Sequence, residues 1–234
     1  MKFTFISDTH TLEKKIQKHL IGGDTIVHCG DFMDTGRDLS QLKQFLKWFN
    51  GLKNYQDKIL IAGNHDRLFQ DYDEETVFEL VSEYEDIIYL QDSGIKYVEG
   101  KDIVNIWGSP WQPEFNGWAF NLPRGGYELE KVWNKIPKNT DLLITHGPPQ
   151  GILDTSGEPY NKNLLGCNLL AKRVKEVKPK IHVFGHIHGS HGYKFDGHTH
   201  YINASMLNER YEVAYKPIHI DWNPVSNEIT FNNV

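Results

Sequence analysis

Residues 180–192 read KIHVFGHIHGSHG, and the reading of this stretch decides the fold. Four β-prone residues, Ile181 to Phe184, run straight into Gly185. Beyond it His186 and His188 stand one residue apart, on a backbone that glycine lets bend. One histidine there would be ordinary; a pair at a strand end raises the question of how other strands end. Four earlier apolar runs, KFTFIS (2–7), TIVHCG (25–30), KILIAG (58–63) and DLLITHG (141–147), close in the same polar way. SDTH supplies Asp8 and His10, GDFMD supplies Asp31 and Asp34, GNHD supplies Asn64, His65 and Asp66, and THG supplies His146. Ligands of open α/β sheets bind beyond the carboxyl ends of the strands, so five strands are expected to deliver these groups to one rim. Gly30, Gly63, Gly147 and Gly185 are expected to let the backbone turn there.

Helix-period segments lie between the strands. LSQLKQFLKWFNGL (39–52) sets Leu39, Leu42, Leu46 and Phe49 on one stripe, and EETVFELVSEYE (74–85) and NLLGCNLLAKRVKEV (163–177) read alike. Alternating strand and helix predicts a layered α/β fold with largely buried strands. After Gly189 the pattern becomes hairpin strands, with turns at Asp196–Gly197 and Asn223–Pro224. No repeat or linker interrupts the chain, which reads as a single domain over residues 1–234. Residues 107–128, WGSPWQPEFNGWAFNLPRGGYE, are aperiodic and rich in tryptophan. A loop of this length in a compact domain serves a function or is half-buried.

At 39% hydrophobic, the 234 residues can build a real core. No apolar run approaches the ~20 residues of a spanning helix, and MKFTFISDTH turns polar too soon for a signal peptide. Two cysteines without a CxxC pattern fit a reducing cytoplasm. A net charge of −6 argues against an extended nucleic-acid surface. A small phosphate-bearing substrate stays compatible, because a metal can supply positive charge locally.

The ordered blocks DxH, GDxxD, GNH followed by an acid, TH and GHxH resemble the calcineurin-like metallophosphoesterase family. FNGWAFNLPRG, HGPP, HVFGHIHG and YINAS look like its branch related to the brain metallophosphoesterase-domain proteins. The resemblance implies a four-layer α/β/β/α sandwich with mixed sheets. It also implies two divalent ions, one held by Asp8, His10, Asp31 and His188, the other by Asp31, Asn64, His146 and His186. A shared ligand should be a carboxylate, whose two oxygens can bridge, while imidazoles fill the remaining positions without cancelling charge. His186 and His188 then go to different ions, and one intervening residue suits ions ~3.5–4 Å apart. Two divalent ions, Asp8, Asp31 and a bridging hydroxide leave a positive site in an acidic protein, suited to in-line attack on phosphorus. By the same resemblance His65 protonates the leaving oxygen and Asp34 orients it. Manganese, iron, zinc and cobalt all fit such ligands, with manganese favoured for activity.

Each candidate also has a plainer role. Asp34 can cap a helix starting near Thr35–Gly36, and Asp66 reads as a loop or cap residue. His28 and His182 read as core histidines; His191, His198 and His200 fall in the turn-rich tail. Cys29 reads as a small buried residue. The tryptophan-rich segment can be a packed flap or a homo-oligomer contact. Alternatively it is a substrate platform, with Trp111 or Trp118 stacking on a base and Arg124 meeting a phosphate. Thr35 occupies the position where the serine/threonine phosphatase branch carries an arginine. Less guanidinium charge tilts the expectation from monoesters toward small or cyclic nucleotide diesters. A phosphomonoesterase, a pyrophosphate hydrolase and a non-catalytic metal-binding scaffold are the alternatives.

Overall fold

The computed structural model describes residues 1–99, 102–156 and 164–232. The first strands are β1 (Lys2–Ile6), β2 (Gly23–His28), β3 (Tyr55–Leu60), β4 (Ile87–Tyr89), β5 (Ser93–Glu99) and β6 (Asp102–Ser109). Then come the two-residue β7 (Gln112–Pro113) and β8 (Asn121–Leu122), β9 (Leu142–Thr145) and β10 (Ile181–Phe184). β11 (Gly192–Phe195), β12 (His200–Asn203), β13 (Ile218–Asn223) and β14 (Glu228–Phe231) complete them. The helices are α1 (Glu13–Ile16), α2 (Leu39–Asn50), α3 (Leu68–Asp71), α4 (Glu74–Ser82), α5 (Tyr127–Asn134) and α6 (Asn168–Val177).

Side-chain alternation along the strands sets the layers. Ile26 and Leu60 point from β2 and β3 toward α2 and α4, while Val27 and Ile59 point the other way. Leu143 and Phe184 of β9 and β10 face α5 and α6, while Leu142, Ile144, Ile181 and Val183 meet the first sheet. Both sheets are therefore buried on both faces, and three apolar seams separate four layers, α/β/β/α. One sheet runs β14-β13-β1-β2-β3-β4 and the other β11-β12-β10-β9-β6-β5. Parallel pairs form the centres, and antiparallel partners such as β13 on β1 and β5 on β6 form the flanks. The sheets are mixed, and β1, β2, β3, β9 and β10 bring their carboxyl ends to one rim.

Local departures from the sequence pattern have physical causes. Leu39 is 37% exposed and Phe45 takes its place, stacked 4.2 Å from Phe32 and 5.4 Å from Phe49. Asp38, accepting from the Ser40 N–H, caps α2, so Asp34 does not. α6 starts at Asn168 because Cys167 Sγ accepts from the Leu170 N–H. The aromatic segment is a loop only in its middle: Trp107 belongs to β6 and Tyr127 opens α5. The two C-terminal hairpins join different sheets, β12 lying beside β10 and β13 beside β1. Among the described residues no helix is long and apolar enough to cross a membrane.

Candidate metal centre

The rim is built on unusual backbone. Asp8 (φ 54°), His10 (φ 39°), Asp31 (φ 58°) and His186 (φ 69°) all occupy the left-handed region, where each non-glycine residue costs about 1–3 kcal/mol. Neighbouring loops hold them there. Asp8 N–H donates to Gly30 O (2.9 Å), His10 N–H to Asp31 O (3.1 Å), and His186 N–H to Asp8 Oδ2 (3.0 Å). The glycines act differently from expectation. Gly30 alone of the four has positive φ, whereas Gly63 and Gly185 supply room. A Cβ at Gly63 would overlap Asp31 Oδ1 and His146 Cε1; one at Gly185 would overlap Ser7 Oγ and Asp8 Oδ2.

Two groups result. Asp8, His10 and His188 offer ligand atoms within 4.8 Å of one another, and Asp31, His146 and His186 do the same. His186 and His188 thus fall in different groups. Asp31 lies between: its Oδ2 is 3.8 Å from His10 Nε2 and 3.3 Å from His146 Nε2. Asn64 Oδ1 is 2.9 Å from His146 Nε2.

Hydrogen bonding tests whether these groups suit cations. Nδ1 of His10 donates to Met33 O, of His146 to Cys29 O, and of His188 to Asn208 O. Carbonyls only accept, so each ring turns Nε2 toward its group, the usual arrangement behind a metal-ligating imidazole. His10 Nε2 is buried and has no partner. His146 Nε2 faces Asp31 and Asn64 oxygens, and His188 Nε2 faces Asp8 Oδ1 at 3.5 Å. Acceptors converging on a nitrogen require a positive charge between them. A proton supplies it here, and a metal ion satisfies the same oxygens, so the residues fit two divalent ions.

The electrostatics agree. Burial would lower the His146 and His188 pKa values. For His146 the Asp31 charge and its hydrogen bond outweigh burial, and for His188 the hydrogen bond to Asp8 and the charge of that carboxylate do so. Both are pushed up to about 9. Burial, helped by the His146 charge, pushes His186 down to about 3, and burial lowers His10. Burial would raise Asp8 and Asp31, yet the facing imidazoles hold both below the usual carboxylate range. Each half therefore pairs a carboxylate with one imidazole shifted toward the charged form and one shifted toward the neutral form.

His65 sits beside this set, its ring 4.7 Å from that of His10 and stacked 4.0 Å from Trp118. Its Nδ1 contacts the backbone carbonyl of Asp34, while the Asp34 side chain is exposed. The expected orienting group is main chain, not carboxylate, because the chain turns at Asp34 with its carbonyl toward His65. Trp111 is drawn into the cores, its Nε1 donating to Asp92 Oδ2, and it does not line the cleft beside the imidazoles. Arg124 does line that cleft, of about 260 Å³, but donates to Gly166 O (2.7 Å) and Leu165 O (2.9 Å). Phe115, Tyr211, His186 and His188 line it too.

Sequence reading undervalued four residues. Asp66 is fully buried and accepts from the N–H groups of Asp31 (2.7 Å), Phe32, Met33 and Gly63 (2.7 Å). Ser205 Oγ donates to Asp8 Oδ2 at 2.7 Å, Asn208 orients His188, and the Tyr211 ring lies 4.9 Å from His10. Of these, Asp66 had a signal as the last residue of GNHD and Ser205 as the last residue of YINAS.

Fold and candidate ligand groups together are those of the metallophosphoesterase class. Residues 1–190 match the family described as calcineurin-like phosphoesterase, and the chain belongs to it. It is 42% identical to human metallophosphoesterase domain-containing protein 1, across 94% of this chain and 70% of that protein. The mouse protein of that name matches equally. In fold it is similar to TT1561 of Thermus thermophilus, with a TM-score of 0.65 at 13% identity, covering 99% of this chain and 98% of that one. Phosphopantetheinyl hydrolase of Mycobacterium tuberculosis has a TM-score of 0.59 at 14% identity, covering 90% of each chain.

Proposed function

We propose that residues 1–234 form one dinuclear-metal phosphodiesterase domain acting on small phosphodiesters, with cyclic nucleotides as leading substrates. The observation that carries the reading is the position of Asp31, whose Oδ2 lies 3.8 Å from His10 Nε2 in one group and 3.3 Å from His146 Nε2 in the other. Asp8, His10, Asp31 and His188 would hold one ion; Asp31, Asn64, His146 and His186 would hold the second. Bound divalent ions, manganese foremost, supply Lewis acidity and the positive charge that draws a phosphoryl group.

The chain's own residues do the rest. His65 donates a proton to the departing oxygen. Because the Asp34 carbonyl faces Nδ1, that nitrogen keeps its proton and Nε2 is the one that exchanges. Trp118 stacks on the ring and fixes its plane. The Ser205 hydroxyl and the His186 N–H hold Asp8 in place. Phe115 and Tyr211 give the cleft an aromatic wall suited to a base.

Preference for a diester rests on charge. Among the described lining residues the cleft has one arginine, with donors committed to carbonyls, and two acids, Glu114 and Glu209. A monoanion tolerates that balance better than a dianion. Two free, buried cysteines support a reducing cytoplasm as its location. The test is turnover of bis(p-nitrophenyl) phosphate against p-nitrophenyl phosphate, with manganese and then with chelator. Faster diester hydrolysis abolished by chelator is expected; faster monoester hydrolysis would overturn the diester reading, and inertness toward both would overturn the enzyme.

A further inference from the structure

Away from the imidazoles, a second cavity of about 1050 Å³ opens between α3, α4 and β4. Phe69, Tyr72, Val77, Phe78, Val81 and Tyr89 form most of its apolar wall. Val77 and Val81 of α4 are 5% and 4% exposed, as a core-facing stripe should be, but Phe78 beside them is 73% exposed. One exposed phenylalanine is ordinary, but Phe78 extends the apolar lining of the groove to the surface, and a contiguous apolar patch of that kind suits a contact.

The charge around it is one-sided. Residues 71–86, DYDEETVFELVSEYED, carry eight carboxylates and neither lysine nor arginine, in a chain whose net charge is −6. Asp71 pairs with Arg67, Asp86 pairs with Lys53 and Lys58, and Asp73 caps α4. Among the described residues Glu74, Glu75, Glu79, Glu83 and Glu85 make no ion pair. Asp73 and Glu74 line the groove at the start of α4, and Glu85 lines it past the helix end. Acids thus bracket an apolar trough the length of a nine-residue helix, about 13 Å.

We propose that this groove docks a basic amphipathic segment of a partner protein. Apolar side chains of the segment fill the trough around Phe78, and its lysines or arginines meet the uncompensated glutamates. The same charge repels an anionic membrane surface. The groove is also tied to the imidazole site. Phe120 lines it and donates its N–H to Gln70 Oε1 at 2.6 Å, and Trp118, two residues earlier, stacks on His65. The proposal does not rest on the diesterase reading.

The test titrates the full chain into a fluorescein-labelled Leu/Lys amphipathic peptide of about 14 residues, roughly 20 Å as a helix, with a Leu/Glu peptide as control. Saturable one-to-one binding to Leu/Lys is expected, weakened at least about tenfold by Phe78→Ser and by Glu74→Lys with Glu85→Lys. Reversing Glu128 and Glu130 on α5 should leave it unchanged. Circular dichroism checks that each variant is folded. Three results would overturn the proposal: no saturable binding, equal weakening by the α5 reversal, or self-association through Phe78 that excludes the peptide.

Discussion

The two half-sites hold their aspartates differently: Asp8, beside His10 and His188, is fixed chiefly at its carboxylate, whereas Asp31, beside His146 and His186, is fixed at its main-chain amide as well. Asp8 is gripped at its carboxylate, by Ser205 Oγ and the His186 N–H, and His10 keeps a buried nitrogen without a partner. Asp31 accepts the His65 N–H at its carboxylate (2.7 Å) and is also gripped at its main chain by Asp66, which gathers the amides of Asp31, Phe32 and Met33 and ties them to Gly63. In the second half the nitrogen facing Asp31 also meets Asn64 Oδ1. The first half therefore keeps a buried ring nitrogen, His10 Nε2, suited to a cation, and the second is more heavily braced. Differently anchored halves should fail differently.

The largest effect is expected where the halves meet. Asp31→Ala should lower phosphoesterase turnover at least about 10⁴-fold and remove metal from both halves; elemental analysis that still finds two ions per chain would break the bridging assignment. His65→Ala belongs to neither half and should lower turnover about 10²–10³-fold with metal content unchanged. Loss of metal in that variant would reassign His65 as a ligand.

The pH response separates proton from metal in both halves. His146 and His188 are raised from 6.5 to about 9. Their protonation therefore stabilises the metal-free fold fully below pH 6.5, and that contribution is lost as pH rises through about 9. Metal binding displaces the same protons, so its affinity should climb with pH, about tenfold per unit for each proton released. Chelator competition and Tm measured with and without manganese between pH 6.5 and 9 should diverge accordingly.

Asp66→Asn is expected to be the mildest change. It removes the buried carboxylate that gathers four amides, costing about 2 kcal/mol and about 4–8 °C in Tm. The second half should lose metal affinity before the first, and equal loss in both would erase the difference between them.

Much of this was legible because strand tips are local. Five short runs ending in Asp, His or Asn predict the rim, since a parallel strand delivers its next residues to the carboxyl edge, while the four layers were implied by the family resemblance. What could not be read depends on atoms the residue alphabet does not distinguish or on chain closure over distance. Asp34 acts on His65 through its carbonyl, and nothing in GDFMD separates carbonyl from carboxylate. Asp66 looks like a turn residue until Asp31, 35 positions earlier, is folded onto it. Ser205, Asn208 and Tyr211 arrive because β12 lies beside β10, a pairing with no local pattern. The β5–β6 hairpin went unread for a different reason: it flanks a sheet and lacks the polar tip that marked the others.

The left-handed backbone at Asp8, His10, Asp31 and His186 has an evolutionary consequence. Aspartate, asparagine, histidine and glycine are the residues that tolerate this conformation, and the first three are also able to hold metals. Exchanges within that small set can alter or silence chemistry while sparing the architecture. A descendant of this chain could thus change its metal chemistry by single steps that leave its shape intact.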